Sequence, residues 1–169
     1  MQRRFVLAVV GTTILPAAGC LDAPARDGVS STCAGTDGLS IDAEADEFVV
    51  DPGDNTVETL LFTLRNRTSC SVTVIPSDWR IKRDGANGET VARGDGRSSE
   101  RTLHTGETHQ WSLSLTPHPT PYTEETTYVV ADLDERQYEF VVTCSSAGQD
   151  QVTRRAGFTV AKRPSESTS

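Results

Sequence analysis

Lysine, methionine and histidine are scarce in this 169-residue chain, which holds two lysines (Lys82 and Lys162), one methionine at its start and three histidines. Each shortage excludes a chemistry. A blue-copper centre needs two histidines, a cysteine and usually an axial methionine, and the stretch SSAGQDQVTRRAGFTV after Cys144 supplies neither histidine nor methionine. His104, His109 and His118 fall at no tight metal-ligand spacing; His104 and His109 flank the turn LHTGETHQ and are expected in solvent. There is no G-x-S-x-G nucleophile motif. No basic stripe is present for nucleic acid. The expectation is a non-enzyme with no cofactor and no metal, whose core is too short for the two large lobes of a solute-binding protein.

What is present begins with an address. Arg3-Arg4 precede an apolar run from Phe5 to Ala18 that ends in small residues, the charged, apolar and small-residue order of an export signal. The run falls short of the roughly 20 residues that span a bilayer, and Pro16 interrupts it. Arg3-Arg4 followed by Phe5, Val6 and Leu7 resembles a twin-arginine signal. The stretch LPAAGC, residues 15 to 20, resembles the lipobox of prokaryotic lipoproteins. That resemblance implies a lipid thioether on Cys20, which becomes the mature first residue, and places the protein on the outer face of the cytoplasmic membrane. Burial of each lipid CH₂ contributes about 0.8 kcal/mol, so two acyl chains hold where one is marginal. The plainer reading is an ordinary cleaved signal with a chance cysteine.

The chain carries 24 acidic and 16 basic residues, net charge −8, or −10 once Arg3 and Arg4 leave with the signal. Acid excess with scarce lysine is similar to the composition of haloarchaeal proteins. Such charge keeps a chain hydrated, and at molar salt, where the Debye length is about 3 Å, it does not steer distant partners.

Residues 1–19 therefore read as signal peptide and 20–38, LDAPARDGVSSTCAGTDG after Cys20, as a lipidated flexible tether with a reach of roughly 25 Å. Residues 39–161 read as one all-β domain and 162–169 as a polar, disordered tail. Leu60, Phe62 and Leu64 alternate at period two; so do Val72 and Val74, Trp79 and Ile81, Trp111 with Leu113 and Leu115, Tyr138 with Phe140 and Val142, and Ala156 with Phe158 and Val160. Period-two patterning with turn residues every ten or so positions predicts an antiparallel β-sandwich. Leu133 with Tyr138 is like the tyrosine corner of immunoglobulin-type sandwiches, or else Tyr138 merely packs.

The order LLFTLRNRTS, SDWRIKRDG, LHTGETHQWSLSL and ADLDERQYEFVV resembles the immunoglobulin-like domains of haloarchaeal lipoproteins. It is distantly similar to the intracellular proteinase inhibitors of bacteria. The first resemblance implies a scaffold without an active site, a lipid-anchored surface module for binding or assembly whose partner is an unidentified protein or surface ligand. The second implies a proteinase-inhibitor-like domain acting outside the membrane.

With Cys20 lipidated, three cysteines remain, an odd number for an exported protein. Cys70 and Cys144 stand at strand ends and are the preferred disulfide, worth roughly 4 kcal/mol by chain entropy; Cys33 paired with either is the competing arrangement. Asn66-Arg67-Thr68 is the one N-x-[ST] sequon, which makes Asn66 a glycosylation candidate. The loop TPHPTPY, with Pro117, His118, Pro119, Pro121 and Tyr122, is either a stiff recognition edge or a crossover that proline rigidifies.

Overall fold

The structure, a computed structural model, describes residues 37–51, 57–85, 88–117, 123–146 and 151–163. They form ten strands: β1 (Leu39–Ala43), β2 (Glu47–Val50), β3 (Leu60–Asn66), β4 (Val72–Arg83), β5 (Thr90–Arg93), β6 (Arg101–Leu103), β7 (Thr108–Ser114), β8 (Thr126–Val130), β9 (Gln137–Ser146) and β10 (Gln151–Lys162). No helix occurs among the described residues. The chain is the all-β, immunoglobulin-like sandwich that the alternation predicts.

One sheet runs β1-β3-β7-β8 and the other β2-β10-β9-β4-β5, with β6 also pairing β4. The centre of each sheet is antiparallel, as expected. At two edges the pairing is parallel: β2 lies along β10, and β8 along β7. Alternation reports which face a residue occupies and is blind to strand direction, so these two pairings leave no mark in the sequence.

Inward positions fill the space between the sheets. Phe62 and Phe140 stack at 4.3 Å between centroids, Phe158 meets Phe62 edge-on at 5.3 Å, and Trp111 and Trp79 flank Phe140 at 5.7 and 6.1 Å. Phe140 thus joins both tryptophans to the phenylalanine pair, and contacts of this kind contribute about 0.5–1.5 kcal/mol each beyond the area they bury.

Strand β4 is longer than its pattern suggests. Val72 and Val74 are buried at even positions, Trp79 and Ile81 at odd ones, a phase change that reads as two strands. The register against β9 shifts between Val74 and Trp79, so one bulged strand carries both phases. Pro76, which has no N–H for a ladder, sits in the bulge, and its carbonyl accepts the Trp111 indole N–H at 2.8 Å.

The tyrosine corner is formed. Tyr138 is buried, and its hydroxyl donates to the Asp134 carbonyl and accepts from the Asp134 amide, while Leu133 is buried beside this turn.

Candidate functional site

Several residues singled out in the sequence have other duties. Asn66 is fully buried. Its Nδ2 donates to the carbonyls of Cys70 at 2.7 Å and Leu103 at 2.8 Å, and its Oδ1 accepts from the Thr68 amide and hydroxyl. Both amide hydrogens are used, so the folded domain has no place for a glycan on Asn66. The expected glycosylation site is a structural knot that ties β3, β6 and the turn before β4.

The expected Cys70–Cys144 disulfide is not formed either. Cys144 is a free, buried thiol, whereas Cys70 is disulfide-bonded. Register explains why. Cys144 lies opposite Val74 and Ser146 opposite Val72, so Cys70 falls beyond the paired end of β9. A bridge needs Cα atoms within about 7 Å, and four extended residues reach about 13 Å. The other cysteines, Cys20 and Cys33, lie outside the described residues.

His109 was expected in solvent and is instead 1% exposed. It is an inward residue of β7, edge-on to Trp111 at 4.6 Å, with Nε2 at 2.9 Å from the Thr127 hydroxyl. Its Nδ1 is buried without a partner among the described residues. Burial, aided by the Arg101 charge, lowers its pKa from 6.5 to about 4. His104 is exposed as expected, with Nδ1 at 3.0 Å from the Ser71 hydroxyl. Of the proline-rich loop, Thr116 and Pro117 are described; His118, Pro119, Pro121 and Tyr122 lie outside the described residues, as does Cys20.

A recess that no motif of the sequence marks lies at the edge of the larger sheet. About 700 Å³ lies open beside β4 and β5, lined by Asp78, Arg80, Arg93, Asp95 and Arg97 with two glycines. The loop after β5 is tied to the β4 bulge: Gly94 donates to the Trp79 carbonyl at 2.9 Å and Gly96 to that of Ser77 at 3.1 Å, while Ser77 and Ser98 exchange amide-to-hydroxyl bonds. Position 94 requires glycine, because a Cβ there would stand 1.9 Å from the Ser77 carbonyl oxygen. The Asp95 carboxyl is held below the usual range, first by the Arg97 amide and then by the Ser77 hydroxyl.

The arginines are aligned by register. Arg93 faces Arg80, Arg80 faces Val141, and Val141 faces Arg155. Residues directly opposite share a face, so three arginines and one valine form a row across the outside of the larger sheet. Two ion pairs touch the row, Arg80 with Asp78 at 3.6 Å and Arg155 with Glu139 at 3.4 Å, both on exposed guanidinium groups. Two other recesses carry carboxylates. One of about 290 Å³ is lined by Asp46, Asp84 and Glu139, another of about 240 Å³ by Asp42, Glu44 and Arg65. Among the described residues no three His, Cys, Asp or Glu side chains converge to hold a metal ion.

No family model matches this chain. No curated protein matches it. Among solved structures it is similar to the periplasmic chaperone SfaE, at 10% identity and a TM-score of 0.42 over 73% of this chain and 58% of that one. It is also similar to the structural-genomics target SoR45, at 15% identity and a TM-score of 0.43 over 77% and 90% of the two chains. A PapD-like domain of human CEP192 is similar at 8% identity and a TM-score of 0.32 over 94% and 99%. The chain spans 58% of the length of the chaperone. At these identities the likeness is one of β-sandwich fold.

Proposed function

We propose that this chain is a non-enzymatic binding or assembly module held on the outer face of the cytoplasmic membrane by a lipid on Cys20. The observation that carries the binding role is the basic recess beside β4 and β5, a concave charged surface in a chain of net charge −8. The loop that shapes it is fastened to the β4 bulge by backbone bonds at both glycines, so the surface is preformed and loses little freedom on binding. The described groups whose ionisation is most displaced, His109 and Cys144, are sealed in the core, where they serve packing. The anchor rests on the order of Arg3-Arg4, the apolar run and LPAAGC. The partner is a protein or another surface component on the same side of the membrane.

Two measurements test this reading. Intact mass of the membrane-extracted protein should show a lipid on Cys20, and Cys20→Ser should release the domain from membranes. Cross-linking of the tagged, anchored protein in native membranes should capture one stoichiometric surface component. An unmodified Cys20 thiol would remove the anchor, and a blank capture would remove the assembly role.

A further inference from the structure

The row Arg93, Arg80, Val141, Arg155 is an unusual arrangement for a sheet surface. Like charges placed directly opposite across an antiparallel pair are destabilising, yet Arg80 and Arg93 occupy such a pair. Neutralisation of the row is partial: Glu139 reaches Arg155 at 3.4 Å, on an exposed guanidinium. Asp78 reaches only Arg80, and at 3.6 Å on the surface; Arg93 and Arg97 make no ion pair among the described residues. Asp95 is engaged in holding its own loop through the Arg97 amide. Val141 is 3% exposed although it points outward, and the long stems of Arg80 and Arg155 flank it on either side.

The spacing of the row selects among anions. Arg80 and Arg155 are two strand gaps apart, about 10 Å, whereas Arg80 and Arg93 are adjacent and form a fork for one oxyanion. Duplex nucleic acid presents one charge per roughly 1.7 Å of its axis, 3.4 Å along each strand, far denser than this row. A sugar chain bearing a carboxylate or sulfate on alternate residues has the wider spacing. The paired hydroxyls of Thr143 and Thr153, one step along the same face, suit its neutral sugars.

We propose that this face binds an acidic polysaccharide, with one carboxylate or sulfate in the Arg80–Arg93 fork, aided by Arg97, and a second at Arg155. This rests on the binding-module reading and names the ligand class of the same recess. Guanidinium groups present parallel N–H donors that match either oxyanion.

The experiment is equilibrium binding of the exported domain to four probes at low and high salt: a hyaluronan decasaccharide, a chondroitin sulfate decasaccharide, free glucuronate, and single-stranded DNA of matched length. Saturable binding of either decasaccharide is expected, with the tighter one identifying carboxylate or sulfate as the preferred group. Glucuronate and DNA should each bind at least about tenfold more weakly. R80Q/R93Q should weaken decasaccharide binding by about tenfold or more and R155Q by a smaller factor. Because R80Q/R93Q removes a facing like-charge pair, it should fold with an unchanged or raised Tm, and R80K/R93K should recover part of the affinity. Absence of saturable decasaccharide binding, equal or tighter binding of DNA, or an undiminished affinity in R80Q/R93Q would each overturn the assignment. Capture of a stoichiometric protein in native membranes together with a negative glycan result would leave the module reading standing and remove only this ligand.

Discussion

The Tyr138 hydroxyl engages both backbone groups of Asp134, donating to its carbonyl oxygen and accepting from its amide, each at 3.1 Å. Leu133 to Tyr138 is the turn that swings the chain from the smaller sheet to the larger, and one side chain holds it. Tyr138→Phe keeps the ring, which stacks on Phe158 at 5.6 Å, and removes only the hydroxyl. A loss of about 1–2 kcal/mol is expected, read as a lower urea midpoint at unchanged m-value. A midpoint equal to that of the wild type would show that the ring alone carries the corner.

Asn66 gives a larger effect. Asn66→Ala takes a donor from the carbonyls of Cys70 and Leu103 and the acceptor from the Thr68 amide, leaving the Thr68 hydroxyl as the side-chain donor to Cys70, and a cost of about 3 kcal/mol is expected. Intact mass of the folded, exported protein should show no glycan at Asn66. A glycan on a domain that retains its cooperative unfolding would contradict the geometry described here.

His109 makes stability depend on pH. Its folded pKa is about 4 against 6.5 in the unfolded chain, so between these values the unfolded state binds the proton and the folded state does not. Above pH 6.5 the residue has no effect; as pH falls below 6.5 it draws the equilibrium toward unfolding, and the effect levels off near pH 4 at about 3 kcal/mol. Chemical denaturation at intervals from pH 7.5 to 4.5 should show this decline, and His109→Gln should flatten it. An identical slope in the variant would assign the decline to carboxylates.

Cys144 should be chemically silent. Burial, partly opposed by Arg154, pushes its thiol up to about 12, and the thiolate is the reactive form. Alkylation at pH 8 should leave Cys144 unmodified in the folded domain and label it fully in denaturant. Peptide mapping without reduction should find Cys70 in a disulfide that excludes Cys144. Rapid labelling of the native protein, or a Cys70–Cys144 peptide, would refute this arrangement.

The class of fold is written in the alternation of the chain. Period-two runs such as Leu60, Phe62 and Leu64 or Tyr138, Phe140 and Val142 assign faces, because side chains alternate along any strand whatever its neighbours. The tyrosine corner was one of two readings of Tyr138, and the structure selects it through a local contact, the hydroxyl meeting Asp134 four residues earlier. What decided the rest was register between distant strands. Arg80 and Arg155 each stand next to an inward residue of their runs, but only the pairing of β5, β4, β9 and β10, with Ala92 opposite Ile81, brings Arg93 outward and the three into one row. The same pairing carries Cys70 past the end of β9 and leaves Cys144 alone. His109 belongs to the inward set with Trp111 and Leu113, a membership hidden by its nearness to the LHTGET turn. The β4 bulge joined two runs of opposite phase that read as separate strands. Each of these outcomes depends on which strands lie side by side and how far one slides along the other, and packing of the two sheets sets that where no single run of residues does.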